Sequence, residues 1–454
     1  MGKKVAGYTI LKSLAGGFLV VSILLFIYTY YRAEIIWHGE HSVKFFKYYV
    51  ISLMAILFWG VVLLLGQRIR AYIVTVSISL VVGLYMVEGI LTIFGLGQLN
   101  SKKIEAAAKL GVEFDERFGY EVLNDLLRER IDAQPGGTRY SSLVDMHKKG
   151  DTDLLLLNGG VSKTTSVGAN EVGQFSIYPS DRHGFNNPDS EWDSSKVEWL
   201  VIGDSFGQGI TVQPGDDITG KIRYITKSTA INLGVGDIGP LVELAILKEY
   251  AEVLQPKNVL WLYYEGNDFK NLLEEKDVPI LMQYLQDNFS QNLIDSQEKI
   301  DRSLKEYYVK ELAQAKITHK TRIARLYALR NMTGFDNIGA KQQQQHIDYQ
   351  FALFAEILTK AKGRVEAWGG KLNFVYLPSF SRYSESETVD HDLYNNKSKV
   401  IELVKSLNIP IIDIHQKVFV DRPYLNFFPL RIVGHYNAKG YSEVAKAIVA
   451  SIEN

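Results

Sequence analysis

The hydrophobic residues of the chain are concentrated in three long runs near its N-terminus. Ser13 to Tyr31 and Tyr48 to Gly66 each contain 19 residues without a charge. Ala71 to Val87 adds 17 more, and the apolar character continues past a glutamate to Gly97. Because about 20 apolar helical residues cross the ~30 Å hydrocarbon core of a bilayer, the pattern predicts a membrane anchor of three transmembrane helices within residues 1–98.

Basic residues are distributed unevenly around these runs. Three lysines precede the first run, and Arg68 and Arg70 fill the turn between the second and third. The loop between the first two carries Arg32 and Lys44, diluted by two glutamates. Since cytoplasmic loops are enriched in Lys and Arg, we expect the N-terminus in the cytoplasm and everything after Gly97 outside it.

Glu88 interrupts the third run. An ionisable residue inside a membrane is a functional candidate. It lies 17 residues past Ala71, or about 26 Å along a helix, which places it near the outer interface, where water can reach it. We therefore expect the Glu88 side chain to be hydrated.

Beyond the anchor, Ser101 to Arg130 predicts one helix, and residues 139–196 show no clean period. From residue 197 onward, short apolar runs alternate with longer helical patterns. The predicted strands are Val197–Ile202, Ala230–Leu233, Asn258–Tyr263, Lys371–Leu377 and Ile409–Ile414. The predicted helices are Pro240–Leu254, Tyr349–Trp368, Lys397–Leu407 and Asn437–Ile452. This alternation indicates a three-layer α/β/α domain with a parallel sheet.

A polar, helix-forming stretch at about residues 270–346 interrupts this alternation. We interpret it as a helical insertion, which could be a lid, a docking surface or decoration. The predicted organisation is therefore an anchor at 1–98, a connecting region at 99–196 and an α/β domain at 197–454.

Composition excludes several classes of chemistry. The chain has no cysteine, so thiol catalysis, zinc–thiolate sites and disulfides are excluded. A net charge of −1 gives no basic field for nucleic acid. The glycine-rich turns match neither a P-loop nor a dinucleotide fingerprint, and the histidines lack metal-ligand spacing. We expect no cofactor and no metal.

Three short motifs at strand or helix ends carry candidate chemistry. Ser205, in Gly-Asp-Ser, follows an apolar strand, and Asn267, in Gly-Asn-Asp, follows another. His435 stands just before the last predicted helix. Ligands bind beyond the carboxyl ends of parallel strands, and a serine nucleophile needs a neighbouring base, most often histidine. Taken singly, each motif is also compatible with a turn or a structural histidine.

The order of these motifs resembles that of the SGNH (GDSL-like) hydrolases. The resemblance covers residues 197–454 and includes residues 231–240, which are similar to the second block of the family. Residues 183–188, His-Gly-Phe-Asn-Asn-Pro, resemble the lead-in of membrane-anchored members linked to envelope polysaccharides. The resemblance implies that Ser205 is the nucleophile and His435 its base. It also implies an oxyanion hole formed by Ser205, the turn at Gly236 and Asp237, and Asn267.

Two positions depart from the family pattern. The family often has Asp three residues before the histidine, where this chain has Ile432. The site could then be a Ser–His dyad whose ring is oriented by a backbone carbonyl. Other candidates for the orienting group are Asp413 and Asp421. In the second block, Asp237 occupies the usual glycine position, although a shifted register would place Gly236 or Gly239 there.

The sequence thus predicts an esterase or O-acyltransferase acting on acyl groups of an extracytoplasmic glycan, with acetyl the favoured acyl group. A multi-pass location in a bacterial inner membrane and a membrane-protein partner contacting the anchor are expected with it. The alternative is a non-catalytic, membrane-anchored scaffold or binding module in an envelope assembly, which the two departures favour.

Overall fold

The computed structural model describes residues 2–36, 39, 42–97, 100–137, 140–148, 150, 152–158, 160–335, 347–384 and 396–453. The chain divides into two compact units. Met1–Ser101 and Ile317–Gln344 form the first, here called the membrane unit. Lys102–Lys316 and Gln345–Asn454 form the second, the α/β unit. The boundaries predicted at residues 98 and 196 stay predictions.

The membrane unit contains three long apolar helices, α1 (Gly2–Tyr30), α2 (Ser42–Leu64) and α3 (Gln67–Ile93). Stretches of 26, 20 and 27 residues in this region are long and apolar enough to cross a membrane, as predicted. The tight turn between α2 and α3 is closed by Arg70, whose guanidinium donates to the carbonyls of Leu63 and Leu65. Such contacts satisfy carbonyls that the end of α2 leaves without helical partners.

Part of the predicted insertion belongs to the membrane unit. It contains a 3₁₀ turn at Ile323–Arg325 and helix α13 (Tyr327–Thr333). The other insertion helices are α10 (Asp268–Glu275), α11 (Pro279–Met282) and α12 (Gln297–Lys320). The insertion is therefore helical, as predicted; residues 336–346 of the predicted range lie outside the described residues.

The single helix predicted at Ser101–Arg130 is wrong. The chain forms α4 (Ser101–Leu110) and α5 (Gly119–Arg128), separated by a non-helical stretch that begins at Gly111. Gly111 has φ of 66°, a left-handed conformation that ends helices and that glycine adopts at little cost.

The connecting region contains a small three-stranded sheet. Its strands are β1 (Ala133–Pro135), β2 (Thr165–Asn170) and β3 (Phe175–Pro179), with β1 parallel and β3 antiparallel to β2. Helix α6 (Tyr140–Lys148) lies between β1 and β2 in sequence. Hydrophobic periodicity did not indicate these short strands.

The main sheet is parallel and has the order β5-β4-β6-β7-β8. Its strands are β4 (Trp199–Ile202), β5 (Ala230–Asn232), β6 (Asn258–Tyr264), β7 (Lys371–Leu377) and β8 (Ile411–Asp413). Each overlaps a predicted strand, so the predicted α/β fold class is confirmed. The accompanying helices are α7 (Ser205–Gln208), α8 (Ile218–Thr226), α9 (Pro240–Ile246), α14 (Ile347–Ala367), α15 (Lys397–Ser406) and α16 (Ala438–Glu453). The predicted helix Pro240–Leu254 continues past α9 as a π-helical turn over Leu247–Ala251.

Side chains alternate between two buried clusters, one on each face of the main sheet. Leu200 and Ile202 of β4 join a cluster that includes residues of α9 and α14. Trp199 and Val201 join the other, with residues of α8 and α16. Because successive strand residues point to opposite faces, this division confirms the three layers.

Candidate active site

Ser205 stands where the first strand of the main sheet turns into a helix. It is the first residue of α7, directly beyond the carboxyl end of β4. The preceding Asp204 caps this helix, because its carboxylate accepts a hydrogen bond of 2.9 Å from the amide of Phe206. Gly209 ends the helix in the left-handed conformation, with φ of 69°. The short helix thus holds the serine at the edge where ligands reach parallel sheets.

His435 lies directly against Ser205. Its Nε2 is 2.8 Å from Ser205 Oγ. The imidazole packs on the ring of Phe206, with centroids 4.7 Å apart, and Tyr436 packs on that phenylalanine at 4.9 Å. The structure therefore brings together the two residues predicted to be nucleophile and base, although 230 positions separate them.

The carboxylate that contacts the histidine is Glu171, a residue that no sequence motif singled out. Glu171 Oε2 is 3.2 Å from His435 Nδ1 and accepts a hydrogen bond of 2.8 Å from the backbone amide of His435. With the ring proton on Nδ1, this contact leaves Nε2 free to accept the serine proton. Ser205, His435 and Glu171 thus have the relative arrangement of a Ser-His-acid triad.

The alternatives left open for the orienting group do not occupy this position. Ile432 is partly buried and has no polar side-chain atom. Asp413 pairs instead with Lys397 at 2.8 Å, and Asp421 is exposed. Among the described residues, neither aspartate hydrogen bonds to His435.

Glu171 is held at the tip of the β2–β3 hairpin. Next to it, Asn170 accepts a hydrogen bond from the Gly173 amide at 2.9 Å and donates to the carbonyl of Asp115 at 3.0 Å. Gly173 has φ of 108°, and a Cβ atom there would lie 2.4 Å from the carbonyl oxygen of Glu113. The segment joining α4 and α5 thus fixes the hairpin tip, and the tip fixes the carboxylate.

The environment of Glu171 favours its charged form. Burial by itself raises the pKa of the carboxyl, but the hydrogen bonds and charge of His435, together with Lys103, more than offset this, so the pKa lies below its usual range. Lys103 Nζ is 3.9 Å from the other carboxylate oxygen. A carboxylate that stays ionised can stabilise a protonated imidazole beside it.

Two backbone amides are available next to the serine. In the described part of the chain, no group accepts a hydrogen bond from the amide of Ser205 or of Gly236. A Cβ atom on Gly236 would lie 3.8 Å from Ser205 Cβ, so the turn at Gly236 reaches the site. This turn is anchored by Asn232, which donates to the carbonyl of Gly207 and accepts from the amide of Gly234, both at 2.8 Å.

The other second-block candidates have different surroundings. Asp237 follows Gly236 with φ of 65°, and its side chain is exposed. Gly239 donates its amide to the buried carboxylate of Glu275 and caps α9. Gly239 is thus committed to a structural hydrogen bond, whereas the turn at Gly236 and Asp237 lies beside the serine.

Asn267 lies near Asp204. It precedes α10 at the end of the β6 loop and is half-buried. Burial raises the pKa of the Asp204 carboxyl, and the hydrogen bond from the Phe206 amide, the charge of His435 and the nearby Asn267 side chain oppose this rise. The side-chain amide of Asn267 has two N–H groups that could donate to a substrate oxygen.

The lead-in loop before β4 hydrogen bonds to α7 and to β5. Asp181 is buried and accepts hydrogen bonds from the amides of His183 and Phe185. Asn186 donates to the carbonyl of Gln208 at the end of α7, at 2.9 Å. The adjacent Asn187 accepts from the amide of residue 232 and donates to its carbonyl, both at 2.8 Å. The loop therefore clamps both elements that carry the candidate oxyanion amides.

A cavity of about 300 Å³ lies in the α/β unit. Its lining includes Tyr120, Tyr307 and Tyr308, together with Gly137. A Cβ atom on Gly137 would lie 3.5 Å from Gln208 Oε1, and one on Gly236 would lie 3.1 Å from the same atom. Gln208 therefore separates the cavity from the turn beside the serine.

No group of three or more His, Asp or Glu side chains within the described ranges could hold a metal ion.

No family model matches the sequence, and no curated protein matches it. Among solved structures, the chain is similar to the acetyl xylan esterase AlAXEase, with 12% identity over 56% of this chain and 100% of that one and a TM-score of 0.33. A lipase/acylhydrolase from Enterococcus faecalis is 13% identical over 57% and 95%, with a TM-score of 0.32. A member of the lipolytic G-D-S-L family from Veillonella parvula DSM 2008 is 11% identical over 57% and 99%, with a TM-score of 0.31. Because these identities and TM-scores are low, the chemistry is inferred from the residues of this chain themselves.

Proposed function

We propose that the chain is a serine ester hydrolase or O-acyltransferase that works through an acyl-enzyme on Ser205. The observation that carries this proposal is the contact of 2.8 Å between Ser205 Oγ and His435 Nε2, with Glu171 on the opposite ring nitrogen. Among the roles open to a partly exposed serine, this arrangement is suited to nucleophilic catalysis.

In the proposed reaction, His435 Nε2 takes the hydroxyl proton as Ser205 Oγ attacks an ester carbonyl. Glu171 stabilises the imidazolium that results. The tetrahedral intermediate expels the alcohol, which takes the proton from Nε2 and leaves an acyl group on Ser205. Water or another hydroxyl then attacks this acyl-enzyme with His435 again as base, releasing an acid or a new ester.

The amides of Ser205 and Gly236, with Asn267, form the proposed oxyanion hole. Losing one such donor typically costs about 10²–10³ in rate. Asp237 belongs to the same turn, but its exposed carboxylate is solvated, which weakens its repulsion of a forming oxyanion.

The proposed substrate is an acyl ester, for which we favour acetyl, on an extracytoplasmic glycan. Three spanning helices with a cytoplasmic N-terminus would place the site outside the cytoplasm of a bacterial cell, where a membrane-protein partner could supply acyl groups.

A serine-directed phosphonate tests the covalent mechanism. The full-length protein should be labelled stoichiometrically at Ser205, and Ser205→Ala should abolish labelling. Ser228 offers a control, because Ser228→Ala should be labelled like the native protein. Labelling that is absent, or that persists in Ser205→Ala, would exclude the acyl-enzyme and favour the scaffold; full cellular function of Ser205→Ala would do the same.

Hydrolysis and transfer are distinguished by offering an activated acetyl ester with and without a candidate glycan. Acylated sugar that disappears in Ser205→Ala identifies a transferase. Acetate release that no glycan changes, without acylated sugar, identifies an esterase.

A further inference from the structure

Residues 317–335, here called the docked segment, contact the membrane helices at two helix ends. The carboxylate of Glu88 in α3 accepts hydrogen bonds from the amides of Ala328 and Leu329, at 3.0 and 2.9 Å. Glu88 is only 1% exposed, so the expectation that it is hydrated is wrong. Its charge is instead placed at the first turn of α13, where helix amides favour an anion.

Further polar contacts join the segment to the same ends. Arg330 donates to the hydroxyl of Tyr48 near the start of α2, at 3.2 Å. Asn331 donates to the carbonyl of Gly97, just past α3, at 3.0 Å. If α2 and α3 are successive crossings, the start of α2 and the end of α3 lie at one membrane face. Glu88 is five residues before the end of α3, or about 7.5 Å along the helix, so the segment lies at the depth of the lipid headgroups.

The composition of the docked segment suits that depth. It contains four Lys or Arg residues and no Asp or Glu. Ile317, Ile323 and Met332 are 51%, 51% and 57% exposed. Lys320 and Arg325 are also exposed, and neither is paired with a carboxylate among the described residues. Exposed apolar side chains beside unpaired cations are typical of helices that lie in a membrane interface.

We propose that the docked segment is an interfacial membrane anchor that binds anionic phospholipid headgroups through Lys320 and Arg325, while Ile323 and Met332 enter the acyl region. The exposed face of the docked segment contacts a lipid surface rather than another protein, because the segment is held against the ends of membrane-spanning helices. This part of the insertion then serves membrane attachment and is neither lid nor decoration.

The absence of cysteine allows a direct test of depth. Single cysteines replacing Ile323 and, as a control, Val309 of α12, which is 70% exposed, would carry an environment-sensitive fluorophore in the full-length protein in nanodiscs. Nitroxide lipids should quench the probe in Ile323→Cys and leave that in Val309→Cys much less affected. Equal quenching, or a water-like probe in Ile323→Cys, overturns the proposal and leaves a protein partner as the occupant.

A second arm tests headgroup selectivity. Binding of a fluorescent anionic phospholipid would be titrated for the native protein, for Lys320→Gln/Arg325→Gln and for the control Lys270→Gln/Lys305→Gln, whose lysines are exposed on the α/β unit. Each lost cation should weaken binding about fivefold, so the first double variant should lose about 25-fold and the control little. Equal binding by all three, or equal affinity for a zwitterionic lipid, overturns the headgroup assignment.

Discussion

At the scale of single residues, the site depends on a carboxylate contributed from outside the α/β-alternating region. Glu171 contacts both the ring and the backbone of His435, so it fixes the position of the ring as well as its tautomer. Its pKa is held below the usual range chiefly by His435. The carboxylate therefore stays charged as the pH falls through the ordinary range of a glutamate, and the contact is lost only at lower pH.

Glu171→Gln should lower turnover by as much as about 10⁴-fold, because an amide does not stabilise the imidazolium and can hold the wrong tautomer. The rate of phosphonate labelling at Ser205 should fall in parallel. The matched control is Asp413→Asn, which removes the pairing with Lys397 and should leave turnover unchanged. Full activity in Glu171→Gln would show that the site works as a dyad.

At the scale of elements, the site depends on close packing between α7 and the loop after β5. Gly234 lies against α7, and a Cβ atom there would be 2.3 Å from the amide nitrogen of Gln208 and 2.5 Å from the carbonyl carbon of Gly207. Both neighbours are backbone atoms, which cannot rotate away. The distance between the amides of Ser205 and Gly236 is therefore set by this contact.

Gly234→Ala should destabilise the fold by about 1–3 kcal/mol through overpacking and should reduce turnover by widening the proposed oxyanion hole. Gly363 provides the control, because it lies in α14 with nothing within 4 Å of its Cβ position. Gly363→Ala should stabilise the protein by about 0.5–1 kcal/mol without affecting turnover. Thermal unfolding and ester cleavage measure the two effects; a stable, active Gly234→Ala would contradict them.

At the scale of the whole molecule, the chain combines a unit with three helices suited to a membrane and an α/β unit that carries the site. The insertion contributes to both, because residues from 317 belong to the membrane unit. An odd number of crossings would place the N-terminus and the α/β unit on opposite sides of the membrane. The distribution of Lys and Arg favours a location of the α/β unit outside the cytoplasm.

Single cysteines test this orientation with a membrane-impermeant maleimide on intact cells. Val253→Cys, at a position 64% exposed in the α/β unit, should be labelled directly. Arg68→Cys, in the exposed first turn of α3, should be labelled only after permeabilisation. The reverse pattern would place the site in the cytoplasm.

The sequence alone determined the features that depend on local pattern. The three spanning helices follow from uninterrupted apolar runs, and the five strands of the main sheet follow from short apolar runs between helices. Ser205, Asn267 and His435 were predicted to form the site because each stands at the end of a strand or the start of a helix and because their order resembles that of the SGNH hydrolases. Local periodicity failed where a glycine broke a helix, as at Gly111, and where strands were too short to show alternation.

Tertiary structure alone decided which carboxylate faces His435 and where the insertion lies. Glu171 is 264 positions from the histidine and sits in a hairpin turn without a distinctive local pattern. Likewise, Glu88 and Ala328 are 240 positions apart, and the sequence around either residue does not indicate their contact. Contacts of this kind arise from how elements pack, and packing depends on the whole set of buried surfaces rather than on any one segment.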